Sequence, residues 1–247
     1  IRSILSQPVT GFKSYYRPLQ TYSYRLDHIL WGLNPFGYHL TSVALHIINA
    51  CLLYIFLFLL FQNNVGPFIA ALLFVCHPVF SEPVNFIASR SDLLVGAFFL
   101  STLIFYILYS RSAKKMFLIL SCGSFICSFL SKEVSLFAPL YIFFIESLFR
   151  KRYSSTYIYF ILAFLFILFR ASVISFGVHG MPSFYCFFTL PKALFLYITA
   201  FLLPFVLEKK WGIPFVTSAF NKDFFIPLFI ILAFIYVVVR MRRRSSI

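Results

Sequence analysis

Two apolar runs of the sequence are separated by the segment His77-Pro-Val-Phe-Ser-Glu-Pro-Val-Asn-Phe-Ile-Ala-Ser-Arg-Ser-Asp92. The runs Gly66–Cys76 and Leu93–Tyr109 have the composition of membrane helices, whereas the segment between them holds a histidine, a glutamate, an arginine, an aspartate and two prolines. Because charges beside a bilayer core cost free energy, such a cluster indicates a functional site. The alternative is an ordinary polar loop at a membrane surface, in which Arg90 and Asp92 anchor helix ends.

The composition of the whole chain is that of a membrane protein. Of its 247 residues, 61% are hydrophobic and 11% are charged, against about 25% charged residues in a soluble domain. We therefore predict an all-α, polytopic bundle of membrane helices. The net charge of +14 does not indicate nucleic-acid binding, because most lysines and arginines lie in short clusters at the ends of apolar runs. The five cysteines form no CxxC pair and are typical of small core residues.

Residues 1–37 form a polar and aromatic lead-in. From Arg17 to Leu30 apolar residues recur at helical spacing, which predicts an amphipathic helix lying in the membrane interface on the outer side. A soluble helix packed on a further segment would give the same pattern. Residues 38–247 form the transmembrane bundle. Since the sequence has no repeat and no linker, the whole chain is predicted to be one domain.

The bundle is predicted to hold about seven or eight apolar segments. They are Tyr38–Phe61, Gly66–Cys76, Ser91–Tyr109, Met116–Leu130, Val134–Leu148, Tyr157–Phe169, Ala193–Leu207 and Phe224–Val239. Ala171–Leu190 is predicted to be a loop. Ala193–Leu207 is flanked by two prolines and is predicted to be re-entrant or interfacial rather than spanning.

The orientation of the bundle follows from its basic clusters, which lie at residues 111–115, 150–152 and 240–244. Lys and Arg are enriched on the cytoplasmic side of membrane proteins. Residues 1–37, the central segment and the turn Lys132-Glu133 are then expected on the outer or lumenal side.

The outer face carries charged and titratable residues of both signs. They are Arg17, Arg25, Asp27, His77, Glu82, Arg90, Asp92, Lys132, Glu133, Arg170 and His179. Cations at headgroup level suit the phosphate of a lipid carrier, which arginine can bind with two parallel hydrogen bonds. Carboxylates at the same level can pair with these cations or act as a general base toward an acceptor hydroxyl. The Lys132-Glu133 turn has an alternative interpretation as a simple solvated turn.

Two histidines, His39 and His46, share one face of the first predicted helix. Haem or metal ligation is one interpretation of such a pair. Hydrogen bonding between helices is the commoner explanation, and the sequence has no CxxCH and no His/Glu metal spacing. We predict no cofactor and no metal.

An ordered series of short motifs runs through the first half of the chain. It comprises Tyr16-Arg17-Pro18-Leu19, Trp31-Gly32-Leu33-Asn34-Pro35-Phe36-Gly37-Tyr38-His39-Leu40, Leu45-His46, Asn49-Ala50, His77-Pro78, Glu82-Pro83-Val84, Arg90-Ser91-Asp92-Leu93-Leu94 and Leu130-Ser131-Lys132-Glu133. In this order the motifs resemble the membrane domain of the transmembrane and tetratricopeptide-repeat O-mannosyltransferases and their prokaryotic relatives, of the GT-C superfamily. The resemblance covers residues 15–135 well and the region Pro204–Ser218 more weakly.

The resemblance implies a glycosyltransferase that uses a lipid-phosphate sugar and has its site on the outer or lumenal face. In such enzymes an acidic motif in the first outer loop supplies the catalytic carboxylate, and tetratricopeptide repeats follow the membrane domain. Neither feature lies in this sequence. We expect either a truncated sequence or a reduced, non-catalytic relative.

The first hypothesis is therefore a GT-C-type enzyme that moves a sugar, such as mannose, from a polyprenyl or dolichyl phosphate to protein hydroxyls. Two groups of residues are predicted to form the site: lipid-phosphate ligands Arg17, Arg90, Lys132 and His77, and carboxylates Glu82, Asp92 and Glu133 that orient the cations or meet the acceptor. It would act in a prokaryotic cytoplasmic membrane or the endoplasmic reticulum, with membrane lipid, the lipid-linked sugar and a protein acceptor as its partners and no nucleic acid.

Two other hypotheses stay open. A structural GT-C-like subunit of a larger membrane complex would keep the fold without the reaction. A transporter or flippase for a lipid-linked substrate would use the same cationic groove. Because Glu82, Asp92 and Glu133 each lie close in sequence to a basic residue, which lowers the pKa of a carboxylate, we expect the chain by itself to lack transferase activity.

Overall fold

The structure of the chain is a computed structural model, and it describes residues 17–148, 155–173, 183–203, 216 and 221–230. These residues are mostly helical and contain no strand, so the all-α prediction is confirmed for them. The chain divides into two compact units, residues 1–177 and 178–247.

Eight helices of the first unit lie within the described residues. They are α1 (Pro18–Trp31), α2 (Pro35–Phe61), α3 (Val65–Cys76), α4 (Ser81–Asn85), α5 (Arg90–Ser112), α6 (Lys115–Ser131), α7 (Ala138–Leu148) and α8 (Thr156–Val173). Three short 3-10 turns join some of them, at Pro78–Phe80, Ile87–Ser89 and Glu133–Phe137.

Fewer helices than predicted have the length of a membrane span. Within the described residues only Pro35–Phe61 and Ile87–Ser112 are long and apolar enough to cross a bilayer. Val65–Cys76 and Pro78–Asn85 make a third candidate if the pair, bent by 54°, counts as one span. Three further apolar helical stretches, Lys115–Ser131, Thr156–Ser172 and Phe188–Leu202, are shorter than the roughly 20 residues that a core about 30 Å thick requires. The predicted count of seven or eight segments is therefore not supported.

The joint between α1 and α2 explains the motif Trp31-Gly32-Leu33-Asn34-Pro35-Phe36-Gly37. Gly32 ends α1 with a φ of 60°, a left-handed conformation that glycine adopts without strain. Asn34 then caps α2 by accepting a hydrogen bond of 3.1 Å from the Phe36 amide. The Trp31 ring packs on Gly37, where a Cβ atom would lie 2.0 Å from the ring. The motif thus fixes the angle between the two helices.

Helix α1 turns its polar side toward the protein. The Gln20 amide donates to the Ala88 carbonyl at 2.6 Å, and the Tyr24 hydroxyl donates to the Ile87 carbonyl at 2.7 Å. The apolar side chains Ile29 and Leu30 are 74% and 72% exposed. This confirms an amphipathic helix at the predicted place, and it packs on the bundle through hydrogen bonds and ion pairs.

The core of the first unit lies between α5, α6, α7 and α8. Its most buried members are Leu103, Tyr106, Ile107, Phe125, Phe129, Ala138, Ile142, Ile145, Tyr159 and Ala163. Polar groups inside it are hydrogen-bonded: Glu146 accepts from Tyr106 and Thr156, and Tyr159 donates to Ser121 at 2.7 Å. Large apolar side chains face outward on most helices, as expected for a surface that contacts lipid.

The second unit contains α9 (Ser183–Leu202) and a helix over residues 222–230, which we label α10. Lys192 and Asp223 join the two helices by an ion pair of 2.5 Å. The predicted loop Ala171–Leu190 is wrong at both ends, because residues 171–173 belong to α8 and residues 183–190 to α9. Helix α9 continues through Pro191, which removes one backbone hydrogen bond without ending it.

Candidate functional site

The segment from His77 to Asp92 folds into short helical turns that lead into α5. His77 caps the first turn, since its Nδ1 accepts a hydrogen bond of 3.2 Å from the Val79 amide. Glu82 lies in α4, and its side chain is exposed. Arg90 and Asp92 occupy the first turn of α5. The polar segment His77–Asp92 thus places its side chains in two different environments. Arg90 is buried, whereas Glu82 and Asp92 are accessible.

The buried surrounding is that of Arg90, whose side chain is 0% exposed. Its Nη1 lies 2.5 Å from Oδ2 of Asp27 in α1, and its Nη2 donates to the Tyr38 carbonyl at 2.8 Å. The Tyr24 ring lies 4.9 Å from the guanidinium carbon. Thr41 completes the group by donating to Oδ1 of Asp27 at 2.8 Å. This buried clamp, Arg90 with Asp27, fastens α1 to the starts of α2 and α5.

The open surrounding contains a carboxylate between two arginines. Glu133 begins the turn after α6, and its Oε1 lies 3.4 Å from Arg17 Nη2, while its Oε2 lies 3.5 Å from Arg170 Nη1. The three side chains are 16%, 32% and 17% exposed for Arg17, Glu133 and Arg170. Arg17 also donates to Ser91 Oγ at 3.4 Å. Three chain segments that are remote in sequence therefore meet at one carboxylate.

Burial would raise the pKa of Glu133, but a backbone hydrogen bond and the charges of Arg17 and Arg170 outweigh it. The net effect holds the pKa below the ordinary value of 4.5. Glu133 is consequently a carboxylate anion at neutral pH, and it is better suited to pairing with cations than to accepting a proton.

A second ion pair lies beside the first. Lys132, next to Glu133 in the chain, bonds to the carboxylate of Asp92 in α5, and these side chains are 24% and 38% exposed. Glu82 is close enough to interact electrostatically with both. We define the open cluster as Arg17, Lys132, Arg170, Asp92 and Glu133, whose three cations and two carboxylates leave a net charge of +1.

An apolar cavity of about 600 Å³ lies between α5 and α7. Its lining residues are Val95, Gly96, Phe99, Leu100, Val134, Phe137, Leu140, Tyr141 and Phe144. Val134 directly follows Glu133, and Val95 lies one helical turn after Asp92. Since α5 and α7 both start at this end of the bundle, the cavity extends away from the charges along both helices.

The structure thus brings together five of the seven predicted site residues, Arg17, Lys132, Asp92 and Glu133 in the open cluster with Glu82 nearby. Arg90 instead bonds to protein groups in the buried clamp, and His77 caps a turn. Their direct contact with a phosphate stays a prediction. No three His, Cys, Asp or Glu side chains in the described part of the chain are grouped as a metal site would require.

Comparison with known proteins gives one consistent result. The chain is 41% identical to the protein O-mannosyl-transferase TMTC2 of Homo sapiens over 98 residues, which are 40% of this chain and 12% of that protein. It is 36% identical to TMTC1 of Mus musculus over 141 residues, or 51% of the chain and 14% of the relative. It is 35% identical to TMTC3 of Homo sapiens over 97 residues, or 39% and 10%.

The predicted resemblance is confirmed. The chain is similar to protein O-mannosyl-transferases of the TMTC1, TMTC2 and TMTC3 kinds, each over about 40 to 50% of its length. It spans only about an eighth of the length of these curated relatives. No protein-family model matches it, and no solved structure matches it.

The O-mannosyl-transferase-like chain has two site residues to which sequence reasoning gave no role. Asp27 and Arg170 were placed on the outer face, but their partners lie far away in the sequence. The sequence does contain a signal for Asp27, because it is the one acidic residue of the helix Pro18–Trp31. The position of Arg170 gives no such signal, since a cation in the last turn of a helix is commonly explained by the helix dipole.

Proposed function

We propose that the chain is the membrane part of a glycosyltransferase that moves a sugar from a polyprenyl or dolichyl phosphate to protein hydroxyls. The proposal starts from the relatives, which are named protein O-mannosyl-transferases. Mannose is the sugar we propose for this chain. One observation carries the donor class, which is the apolar cavity whose lining residues Val95 and Val134 follow Asp92 and Glu133 of the open cluster in the chain.

The chemistry of a polyprenyl phosphate matches this arrangement at both ends. Its hydrocarbon tail needs a long apolar surface, and the cavity between α5 and α7 is lined by aliphatic and aromatic side chains. Its anionic head needs cations, which Arg17, Lys132 and Arg170 supply. Charge-assisted hydrogen bonds to a phosphate are about twice as strong as neutral ones. We therefore place the phosphate at the open cluster and the tail in the cavity.

The remaining polar groups have distinct roles in the proposal. Asp92 orients Lys132, and Arg90 positions α1, which carries Arg17. Glu82 is exposed and takes part in no ion pair among the described side chains, which makes it the candidate base. The acceptor oxygen would form a bond to the sugar C1 while the bond from C1 to the phosphate oxygen breaks. The phosphate leaves with the electron pair, and the hydroxyl proton passes to Glu82.

The membrane arrangement is part of the same proposal. The open cluster and α1 lie at one end of the first unit, and Arg111, which donates to the Leu59 carbonyl, lies at the other. With basic clusters on the cytoplasmic side, the site faces the lumen of the endoplasmic reticulum or the outside of a prokaryotic cell. The exposed apolar side of α1 then lies in the membrane interface.

One observation favours the alternative of a non-catalytic subunit within a larger membrane complex. Asp27, Asp92 and Glu133 are each bound to a cation, and a carboxylate held this way is a poor base. Donor binding without transfer would agree with this alternative. Transfer by the purified chain unaided would exclude it and would make Glu82 the leading catalytic residue.

Binding of dolichyl phosphate to the full chain in nanodiscs of neutral lipid tests the donor site. Lys132→Ala should weaken binding about 10- to 100-fold, because a hydrogen bond to a charged group contributes roughly 1.5–3 kcal/mol. Leu140→Trp should also weaken it, because the larger side chain fills the cavity that Leu140 lines.

Two matched variants control for general effects. Arg111→Ala removes an exposed cation at the opposite end of α5, and Ile119→Trp adds the same bulk at a 70% exposed position of α6. Both should bind dolichyl phosphate like the wild type. If Lys132→Ala and Leu140→Trp also bind like the wild type, the donor does not occupy this site.

A further inference from the structure

We infer that Glu133 occupies the position of the donor phosphate between Arg17 and Arg170, and that a bound donor displaces it. This inference rests on the proposed function and adds a selection step to its site. Glu133 would then act as a resident anion that keeps the two arginines in place until a lipid phosphate arrives. It would be a gating residue rather than a catalytic one.

The geometry of the contacts carries the first step. Charge-assisted N–O hydrogen bonds are normally about 2.7–2.9 Å long. The contacts of Glu133 to Arg17 and Arg170 are 3.4 and 3.5 Å, and its Oε2 accepts no hydrogen bond. By contrast, the buried pair of Arg90 and Asp27 is closed at 2.5 Å. Beside its backbone hydrogen bond, the carboxylate is therefore held by two long contacts to the arginines, which leave room for a larger anion.

The shape of the ligand carries the second step. A carboxylate has two oxygens, and here each one faces a different arginine. The head of a polyprenyl phosphate is a tetrahedral group with more acceptor oxygens, so it can accept from both guanidinium groups at shorter distances. Two arginines spread around a small anion thus fit a larger anion better.

Access carries the third step. The Glu133 side chain is 32% exposed, although its Oε2 is buried, and the residue after it, Val134, lines the apolar cavity. A phosphate whose tail lies in the cavity would arrive at the side of the carboxylate. Once displaced, Glu133 can turn toward solvent, where its charge is hydrated. A neutral polyprenol has no charge with which to compete, so it would leave Glu133 in place.

Titration of dolichyl phosphate against the full chain in nanodiscs of neutral lipid tests the inference, because the inference predicts whether replacing Glu133 raises or lowers the affinity. Glu133→Gln should tighten binding by about tenfold, because the competing anion is gone. Glu133→Ala should tighten binding as well. This second variant is needed because a glutamine can still accept hydrogen bonds from the two arginines, whereas an alanine cannot. Arg170→Ala should weaken binding by about tenfold or more.

Three controls separate competition from a general gain of positive charge. Asp223→Asn neutralises a carboxylate paired with Lys192 in the second unit and should leave binding unchanged. Uncharged dolichol should bind the wild type and Glu133→Gln equally. Inorganic phosphate should displace dolichyl phosphate at lower concentration from wild type than from Arg170→Ala, which reports the head site apart from the tail.

The outcomes distinguish the inference from the proposed function. If Glu133→Gln and Glu133→Ala weaken binding as Arg170→Ala does, Glu133 anchors the arginines; the gating role is then wrong and the donor site stands. If neither the Glu133 variants nor Arg170→Ala change binding, the phosphate does not lie at the open cluster. That result overturns the gating role and the proposed location of the donor together.

Discussion

The buried clamp and the open cluster use the same residue types for different purposes. The Arg90 and Asp27 side chains lie 2.5 Å apart in their ion pair and are 0% and 3% exposed. Glu133 shares two arginines at 3.4 and 3.5 Å and is 32% exposed. In the clamp every charge is matched by one opposite charge, whereas the open cluster keeps a net charge of +1.

The difference shows which arginines can serve a ligand. A buried ion pair has lost its hydration, so neither partner can be removed or exchanged without leaving an uncompensated charge in the interior. A partly exposed pair keeps part of its hydration, so exchange of its anion costs less. The clamp is thus suited to holding helices together, and the open cluster is suited to binding an anion that comes and goes.

Arg90→Ala is the strongest test of this comparison. Removing one partner of a buried pair costs roughly 3–5 kcal/mol of unfolding free energy, because Asp27 would remain buried and charged. Arg170→Ala should cost less, about 1 kcal/mol, since the side chains of its pair with Glu133 are partly exposed, at 17% and 32%. Denaturant unfolding in detergent micelles measures both.

The double variant Arg90→Met/Asp27→Leu sharpens the result, because it removes both charges and should recover much of the stability lost in Arg90→Ala. Equal and small losses for Arg90→Ala and Arg170→Ala would contradict the distinction between the two sites.

Tyr24→Phe tests how far α1 depends on polar contacts next to the clamp. The change removes the hydroxyl that donates to the Ile87 carbonyl and accepts from Gln20, both at 2.7 Å. It should lower the unfolding free energy by about 1 kcal/mol and speed amide hydrogen exchange in α1. Tyr22→Phe is the matched control, because Tyr22 lies on the same helix and is 42% exposed. If both changes leave α1 equally protected, α1 is not held by its polar side.

The smallest expected effect is on the pH dependence of stability, and it comes from Glu133 in the open cluster. Its pKa is held below 4.5 in the folded chain, so its ion pairs stabilise the fold above pH 4.5 and lose that contribution as the pH falls through the lowered value. Arginine side chains are charged throughout this range. Wild type should therefore lose more stability than Glu133→Gln between pH 5 and pH 3, by less than about 1 kcal/mol because the group is partly exposed. Thermal unfolding over this range measures it, and parallel curves for the two proteins would contradict it.

The helices themselves could be predicted from the sequence because their signals are local. The spacing of apolar residues predicted α1 from Arg17 to Leu30, and the structure has it from Pro18 to Trp31. Span lengths were less predictable, since apolar composition continues through turns. The run Val134–Leu148 is a 3-10 turn followed by the short helix α7.

The candidate site was predictable by residue type but not by pairing. Charges in an apolar sequence pointed to Arg17, Asp92 and Glu133. Which carboxylate meets which arginine depends on the packing of helices that are remote in sequence, so Arg170 and Asp27 received no role before the structure. Burial was equally hidden, because Arg90 and Lys132 both follow a serine near a helix end and only Arg90 is enclosed.

The two-sided character of α1 has one more consequence. Its polar side is bonded to the bundle through Gln20, Tyr24 and Asp27, while Ile29 and Leu30 face outward. The polar side of α1 is thus fixed to the bundle, and its apolar side is free to contact lipid. In the proposed membrane arrangement, the depth of α1 in the lipid would set the height of Arg17 relative to the lipid headgroups. Bilayer thickness and headgroup packing would then tune how easily a lipid phosphate reaches the cations, without any change in the protein itself.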